Sequence, residues 1–194
     1  MNQKRILGLK EKLLTYLKEN FSKKNNYLRL IIFACVFVVF IPWSVSMNIW
    51  AQKTPFTTYG TGFISIYITT NQGMAFSFMS NSPEWCVYMI QWLVTIAILT
   101  ILLFSKKWYY ILLWSCSFLG GLFNVIDRAC PKIINSISTT NWQYNCVLDY
   151  FKFSFKWGIF NVPDIFVCVG SIGAILIYII ETIILGFKKN ENNK

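Results

Sequence analysis

The chain contains three aspartates, Asp127, Asp149 and Asp164, clustered in one stretch of a sequence that has no histidine. Without imidazole there is no Ser-His-Asp or Cys-His relay and no histidine general base, so acid–base chemistry falls to carboxylates, Lys, Tyr or Cys. Two carboxylates brought together in a poorly solvated cleft cannot both ionise readily; one keeps a proton while the other stays charged. That division suits peptide hydrolysis. The ionised group takes a proton from water, and the neutral one hydrogen-bonds the scissile carbonyl and protonates the leaving nitrogen. A carboxylate at the start of a helix is favoured as the anion and Pro163 suits a first helical turn, so Asp164 is read as the base and Asp149 as the acid. Structural readings stand beside this one: Asp127 with Arg128 forms an interfacial ion pair, Asp164 caps a helix, and Asp149 is a solvated loop residue. There is no Gly-rich phosphate loop and no Cys-x-x-Cys pair, and the chemistry needs neither a metal nor an organic cofactor.

The elements that must hold these residues are membrane spans. Only 13% of the 194 residues are charged and 55% are hydrophobic, too few charges to cover a soluble surface of this size. A helix crossing a bilayer core needs roughly 20 apolar residues. The sequence has no charge between Arg29 and Lys53, Glu84 and Lys106, Lys107 and Asp127, or Asp164 and Glu181. The expected spans are Leu30–Ile49, Trp85–Phe104, Trp108–Ile126 and Val162–Gly186. Counting across them places every basic residue on one side except Lys53, Arg128, Lys132, Lys152 and Lys156. By the positive-inside rule both termini are then cytoplasmic. The formal charge of +10 reports topology and anionic membrane lipid rather than nucleic acid. On this count all three aspartates meet the outer leaflet, where ionisable groups at membrane depth are a functional-site hypothesis by default.

The expected layout is a basic tail over residues 1–29, a four-span domain over 30–186 with an outer β segment at 51–83 and an outer loop at 127–161, and a short tail at 187–194. Phe63–Thr70 is β-branched, aromatic and free of Pro, and ends at Asn71-Gln72-Gly73, so it reads as a strand entering a turn. A lone strand is not stable in water, and Ala75–Met79 is the candidate for its partner. In the tail, Ile6, Leu9, Leu13, Tyr16 or Leu17, and Phe21 recur at helical spacing among lysines. This pattern describes either an amphipathic helix on the inner leaflet or a disordered basic arm. Cys130 and Cys146 are read either as a disulfide or as two thiols. Glu181 is expected to reach toward headgroups at the inner end of the last span, on the leaflet opposite the aspartates. The fold class is an integral membrane α-helical protein with four transmembrane helices, a small extracellular β-sheet element and an amphipathic N-terminal helix.

Four short motifs carry a resemblance. Asn71-Gln72-Gly73-Met74-Ala75-Phe76, Gly120-Gly121-Leu122-Phe123-Asn124-Val125-Ile126-Asp127-Arg128, Val147-Leu148-Asp149-Tyr150 and Phe160-Asn161-Val162-Pro163-Asp164 resemble, in order, the motifs of the lipoprotein signal peptidase (signal peptidase II) family. The resemblance runs from about Leu30 to Gly186. It implies a bacterial plasma-membrane aspartic endopeptidase that removes the signal peptide of diacylglyceryl-modified prolipoproteins, cutting before the lipidated cysteine. It also implies inhibition by globomycin-type cyclic peptides. The family's catalytic aspartates fall on Asp149 and Asp164, while Asn71, Gly73, Asn124, Asp127, Arg128 and Asn161 fall on positions that bind substrate or support the site. The chain departs from the family in its first span, where an Asp and a Lys are usual; Ser44, Ser46 and Asn48 are the polar residues there. Two further readings compete: a non-catalytic membrane binding or transport component with outer carboxylates, and a structural helper that keeps the fold alone. A transporter more often places its ionisable groups near the midplane on broken or repeated helices, and the sequence has neither feature.

Overall fold

The computed structural model describes residues 3–53, 58–60, 62–74, 79, 81–130, 132–135, 140–143, 145–154 and 158–191. In chain order these form α1 (Gln3–Asn20), α2 (Lys23–Lys53), β1 (Thr58–Tyr59), β2 (Ile64–Asn71), α3 (Glu84–Phe104), α4 (Trp108–Ala129), β3 (Lys132–Asn135), β4 (Thr140–Gln143), β5 (Val147–Phe153), β6 (Ile159–Phe160) and α5 (Val162–Glu191). Helices α2 to α5 are the four long and apolar enough to cross a membrane, in agreement with the four expected spans. α2 begins at Lys23, about two turns before its expected span, and carries Pro42 in its interior, which membrane-spanning helices tolerate better than soluble ones. The α4 helix stops where Pro131 forces the residue before it out of helical geometry. Cys130 is accordingly extended, with its N–H bonded back to the Ile126 carbonyl.

The strands build one antiparallel sheet in the order β1-β2-β5-β6 and a separate β3-β4 hairpin. β2 confirms the strand read at Phe63–Thr70, but its long partner is β5, from the other outer segment. Their pairing runs from Ile64 with Phe153 to Asn71 with Val147, and the register shifts between Ile66 and Thr69. Residues 75–78 of the expected partner strand lie outside the described residues. The sheet thus ties the chain before α3 to the chain between α4 and α5.

The core sits where the sheet meets α2, α4 and α5. Phe40, Ile68, Leu119, Leu148, Tyr150 and Val162 form one buried cluster, and Phe40 sits edge-on to Phe123 and Phe166. α4 and α5 approach so closely that a Cβ added at Gly120 would lie 2.9 Å from the Val167 amide nitrogen, and one at Gly170 would lie 2.7 Å from the Ser117 nitrogen. Close packing of this kind is what small residues give membrane helices. Outward-facing Val38, Leu176, Tyr178 and Phe187 are more than half exposed, an apolar surface too extensive for a soluble monomer.

At the opposite end of the bundle, α1 is a helix and not a disordered arm. It is tied to the α3–α4 connection: Asn20 donates to the Leu103 carbonyl at 3.1 Å, and Arg29 donates to the Ser105 carbonyl at 3.2 Å and to Asn20 Oδ1 at 2.8 Å. Glu181, expected to reach toward headgroups, accepts from Lys107 Nζ at 2.7 Å, from the Tyr110 hydroxyl at 3.2 Å and from the Tyr109 hydroxyl, because the start of α4 packs beside it and supplies a cation within reach. Cys130 is an exposed free thiol, so the Cys130–Cys146 bridge is not formed.

Candidate active site

Asp149 lies on β5, in register with Thr69 on β2, and is 2% exposed. β5 is buried continuously from Val147 to Tyr150, since one of its faces meets the helices and the other is covered as well; a strand buried on both faces loses the usual alternation. One Asp149 oxygen accepts from Asn71 Nδ2 at 2.9 Å and the other from Asn161 Nδ2 at 3.2 Å. Burial, and after it the negative charge of Asp164, pushes the Asp149 carboxyl well above the usual carboxylate range, against smaller opposing effects of the Asn71 hydrogen bond and the Arg128 charge. A raised value keeps the proton on this residue.

Asp164 occupies the first turn of α5. Its Oδ2 accepts the Asn161 N–H at 3.2 Å while its own N–H donates to Asn161 Oδ1 at 2.9 Å. This is the reciprocal capping box that satisfies two orphan donors of a helix start. The other Asp164 oxygen takes Asn124 Nδ2 at 2.8 Å. Asn161 therefore serves both acids: its amide hydrogens go to Asp149 and, at 3.1 Å, to Asn124 Oδ1, and its oxygen and backbone go to Asp164. The hydroxyl of buried Tyr150, next to Asp149, accepts the Val162 N–H at 3.0 Å, which pins β5 to the first residue of α5. Burial pushes the Tyr150 phenol up as well, so it remains a neutral anchor.

The neighbours Asp127 and Arg128 turn to different partners, as consecutive helical residues must. The Arg128 guanidinium is 2% exposed and its hydrogen bonds go to oxygens other than those of Asp127. It donates to Gln91 Oε1 at 3.0 Å and to the carbonyls of Asn71, Gln72, Asn145 and Gly73. The Gly73 N–H in turn bonds Asn71 Oδ1 at 2.9 Å, an Asx-type turn that aims the Asn71 amide at Asp149. Asp127 accepts Asn48 Nδ2 at 2.7 Å and the Leu148 N–H at 3.2 Å. Of the eight residues selected from sequence, Asp149, Asp164, Asn71, Asn124 and Asn161 make one connected set. Gly73 and Arg128 brace its edge, and Asp127, on α4, takes the Leu148 N–H one residue before Asp149.

Sequence reasoning passed over Tyr150, Gln91 and Gln52. Gln52 donates to Asn48 Oδ1 at 2.6 Å; its spacing of four from Asn48 on a helix was the available signal. A cavity of about 220 Å³ opens beside this set, between Ser44, Asn48 and Gln52 on α2 and Phe123, Tyr150, Asn161 and Pro163. No group of three or more metal-ligating side chains occurs among the described residues.

Fold and site together define a four-span membrane protein with one buried and one half-buried carboxylate joined by amides at one end of the bundle. Residues 30–181 match the model of the signal peptidase (SPase) II family. The chain belongs to that family. It is 37% identical over 131 residues to the lipoprotein signal peptidase of Mycoplasmoides gallisepticum, covering 68% of this chain and 42% of that one. It is 34% identical over 170 residues to that of Malacoplasma penetrans, covering 84% and 69%. The chain thus spans less than half of the first relative's length. In fold it is similar to a bacterial membrane enzyme solved at 2.3 Å by the in meso method, with TM-score 0.57, 19% identity, and 83% and 90% of the two chains covered.

Proposed function

We propose that this protein is a membrane aspartic endopeptidase that removes the signal peptide of diacylglyceryl-modified prolipoproteins by cutting before the lipidated cysteine. Membership of the signal peptidase II family supports signal-peptide cleavage. The observation that carries the catalytic reading is the sharing of Asn161 by Asp149 and Asp164, with Asp149 held toward its protonated form by burial. Asp164, ionised at the helix start, takes a proton from a water whose oxygen attacks the scissile carbonyl carbon. Asp149 hydrogen-bonds the carbonyl oxygen and gives its proton to the leaving nitrogen as the C–N bond breaks. The pair ends with one proton, as it began, now on Asp164. Asn71, Asn124 and Asn161 hold the carboxylates, and Gly73 with Arg128 holds Asn71.

The distribution of lysine and arginine supports cytoplasmic termini and a site at the outer leaflet, the depth at which a diacylglyceryl-cysteine lies. Membrane lipid and globomycin-type peptides are further proposed ligands of the same face. The deciding experiment is purified full-length protein in proteoliposomes given a lipidated prolipoprotein and its unlipidated counterpart. Cleavage of the lipidated form alone is expected. Cleavage of neither, or of both equally, rejects the reading.

A further inference from the structure

Among the described residues β5 pairs with β6 at Phe151 and Lys152, so the backbone nearer its start needs another acceptor on that edge. Asp127 provides it by taking the Leu148 N–H, one residue before Asp149. A carboxylate rotates about its last bond with little resistance, so a single N–H does not fix which way its second oxygen faces. That oxygen is held by Asn48, and Asn48 is held by Gln52 one turn further along α2. Ser44, Asn48 and Gln52 share one helix face and line the cavity that Asn161 also borders. A neutral amide chain therefore runs from the first span to the strand that carries Asp149.

We infer that Asn48 and Gln52 are positioning residues: they aim the Asp127 carboxylate at the Leu148 N–H and so set where β5 places Asp149 against Asn161 and Asp164. The inference rests on the peptidase reading above. It assigns the polar face of the first span to the geometry of the acid pair and not to contact with the substrate. Small displacements of a reacting group have large kinetic effects, and loss of positioning lowers kcat while leaving ground-state binding in place.

The test measures kcat and KM separately for full-length variants in proteoliposomes with a lipidated prolipoprotein peptide. Asn48→Leu is expected to lower kcat about tenfold with KM within about twofold. Asn48→Lys, whose ammonium is again a donor to Asp127, is expected to recover most of that loss, and Gln52→Leu to lower kcat about threefold. Unchanged kcat in Asn48→Leu, a raised KM with kcat intact, or no recovery in Asn48→Lys overturns the inference. Should Asn48→Leu fail to insert and fold, Gln52→Leu decides: a lowered kcat supports the inference and an unchanged one overturns it. Asp149→Asn in the same assay separates the two levels. An active Asp149→Asn sinks the peptidase reading, whereas a fully active Asn48→Leu beside an inactive Asp149→Asn sinks this inference alone.

Discussion

The two ends of the bundle hold carboxylates in opposite ways. At one end Glu181 meets a cation directly, and its hydrogen bond, with that of Tyr109, keeps the Lys107 ammonium protonated well beyond its usual range. At the other end Asp149 and Asp164 meet amides: Asn71, Asn124 and Asn161. The nearby guanidinium of Arg128 is turned to backbone carbonyls. An ion pair fixes a carboxylate as an anion, while an amide orients it and leaves its proton free to come and go. One end has the contacts of an attachment point, and the other has those that the proposed proton transfer requires.

The sharpest way to break this contrast is to neutralise Asp149 and Asp164. Asp149→Asn and Asp164→Asn should each insert and fold yet lose about a thousandfold or more in cleavage of lipidated substrate, the scale of general acid–base catalysis. Either variant with near-normal turnover removes the special status of the aspartate end. Next in size is Asn161→Asp, which retains an oxygen for the helix cap but has no amide hydrogens for Asp149 and Asn124. It should fold and cleave about a hundredfold more slowly. Asn161→Ala should also lose about 1 kcal/mol of stability through the missing cap, readable by thermal unfolding in detergent.

The pH dependence follows from the raised Asp149 carboxyl. Its folded value lies above that of the unfolded chain, about 3.9. The stability linked to it is therefore fully present below that value and is lost as pH rises through the folded one. Cleavage should decline over the same alkaline limb as the acid loses its proton, and Glu181→Gln should leave that limb where it is. The packing seam gives a smaller effect. Gly120→Ala places a methyl against the Pro163 carbonyl and the Val167 amide, for a cost of roughly 1–3 kcal/mol and a lower folded yield. Smallest of all is Glu181→Gln, which should keep cleavage within about twofold, the modest effect expected of an exposed pair. A tenfold loss there would dissolve the distinction between the two ends.

What the sequence made legible followed from local rules. The four spans appear because charge-free runs are local. β2 appears because β-branched residues followed by Asn-Gln-Gly signal a strand and its turn within a few positions. Asn161 three places before Asp164 has capping-box spacing, so half of the hub was visible as a helix start. The pairing of Ile64 with Phe153 was not legible: two short strands far apart in sequence carry no mark of register. The Glu181–Lys107 contact was not legible for a related reason, since Lys107 is 74 positions away in sequence and only the packing of α4 on α5 brings them together. Asn48 could be singled out as polar, but its hydrogen bond to Asp127 depends on how α2 crosses α4.

The capping box at Asn161 and Asp164 ties chain architecture to reactivity. The oxygen that receives a backbone hydrogen to begin α5 belongs to the group assigned to activate water, so each protonation during turnover must weaken the grip that winds the helix's opening coil. Replacements at this junction should shift durability and turnover together, which leaves natural variation little freedom to adjust either quantity by itself.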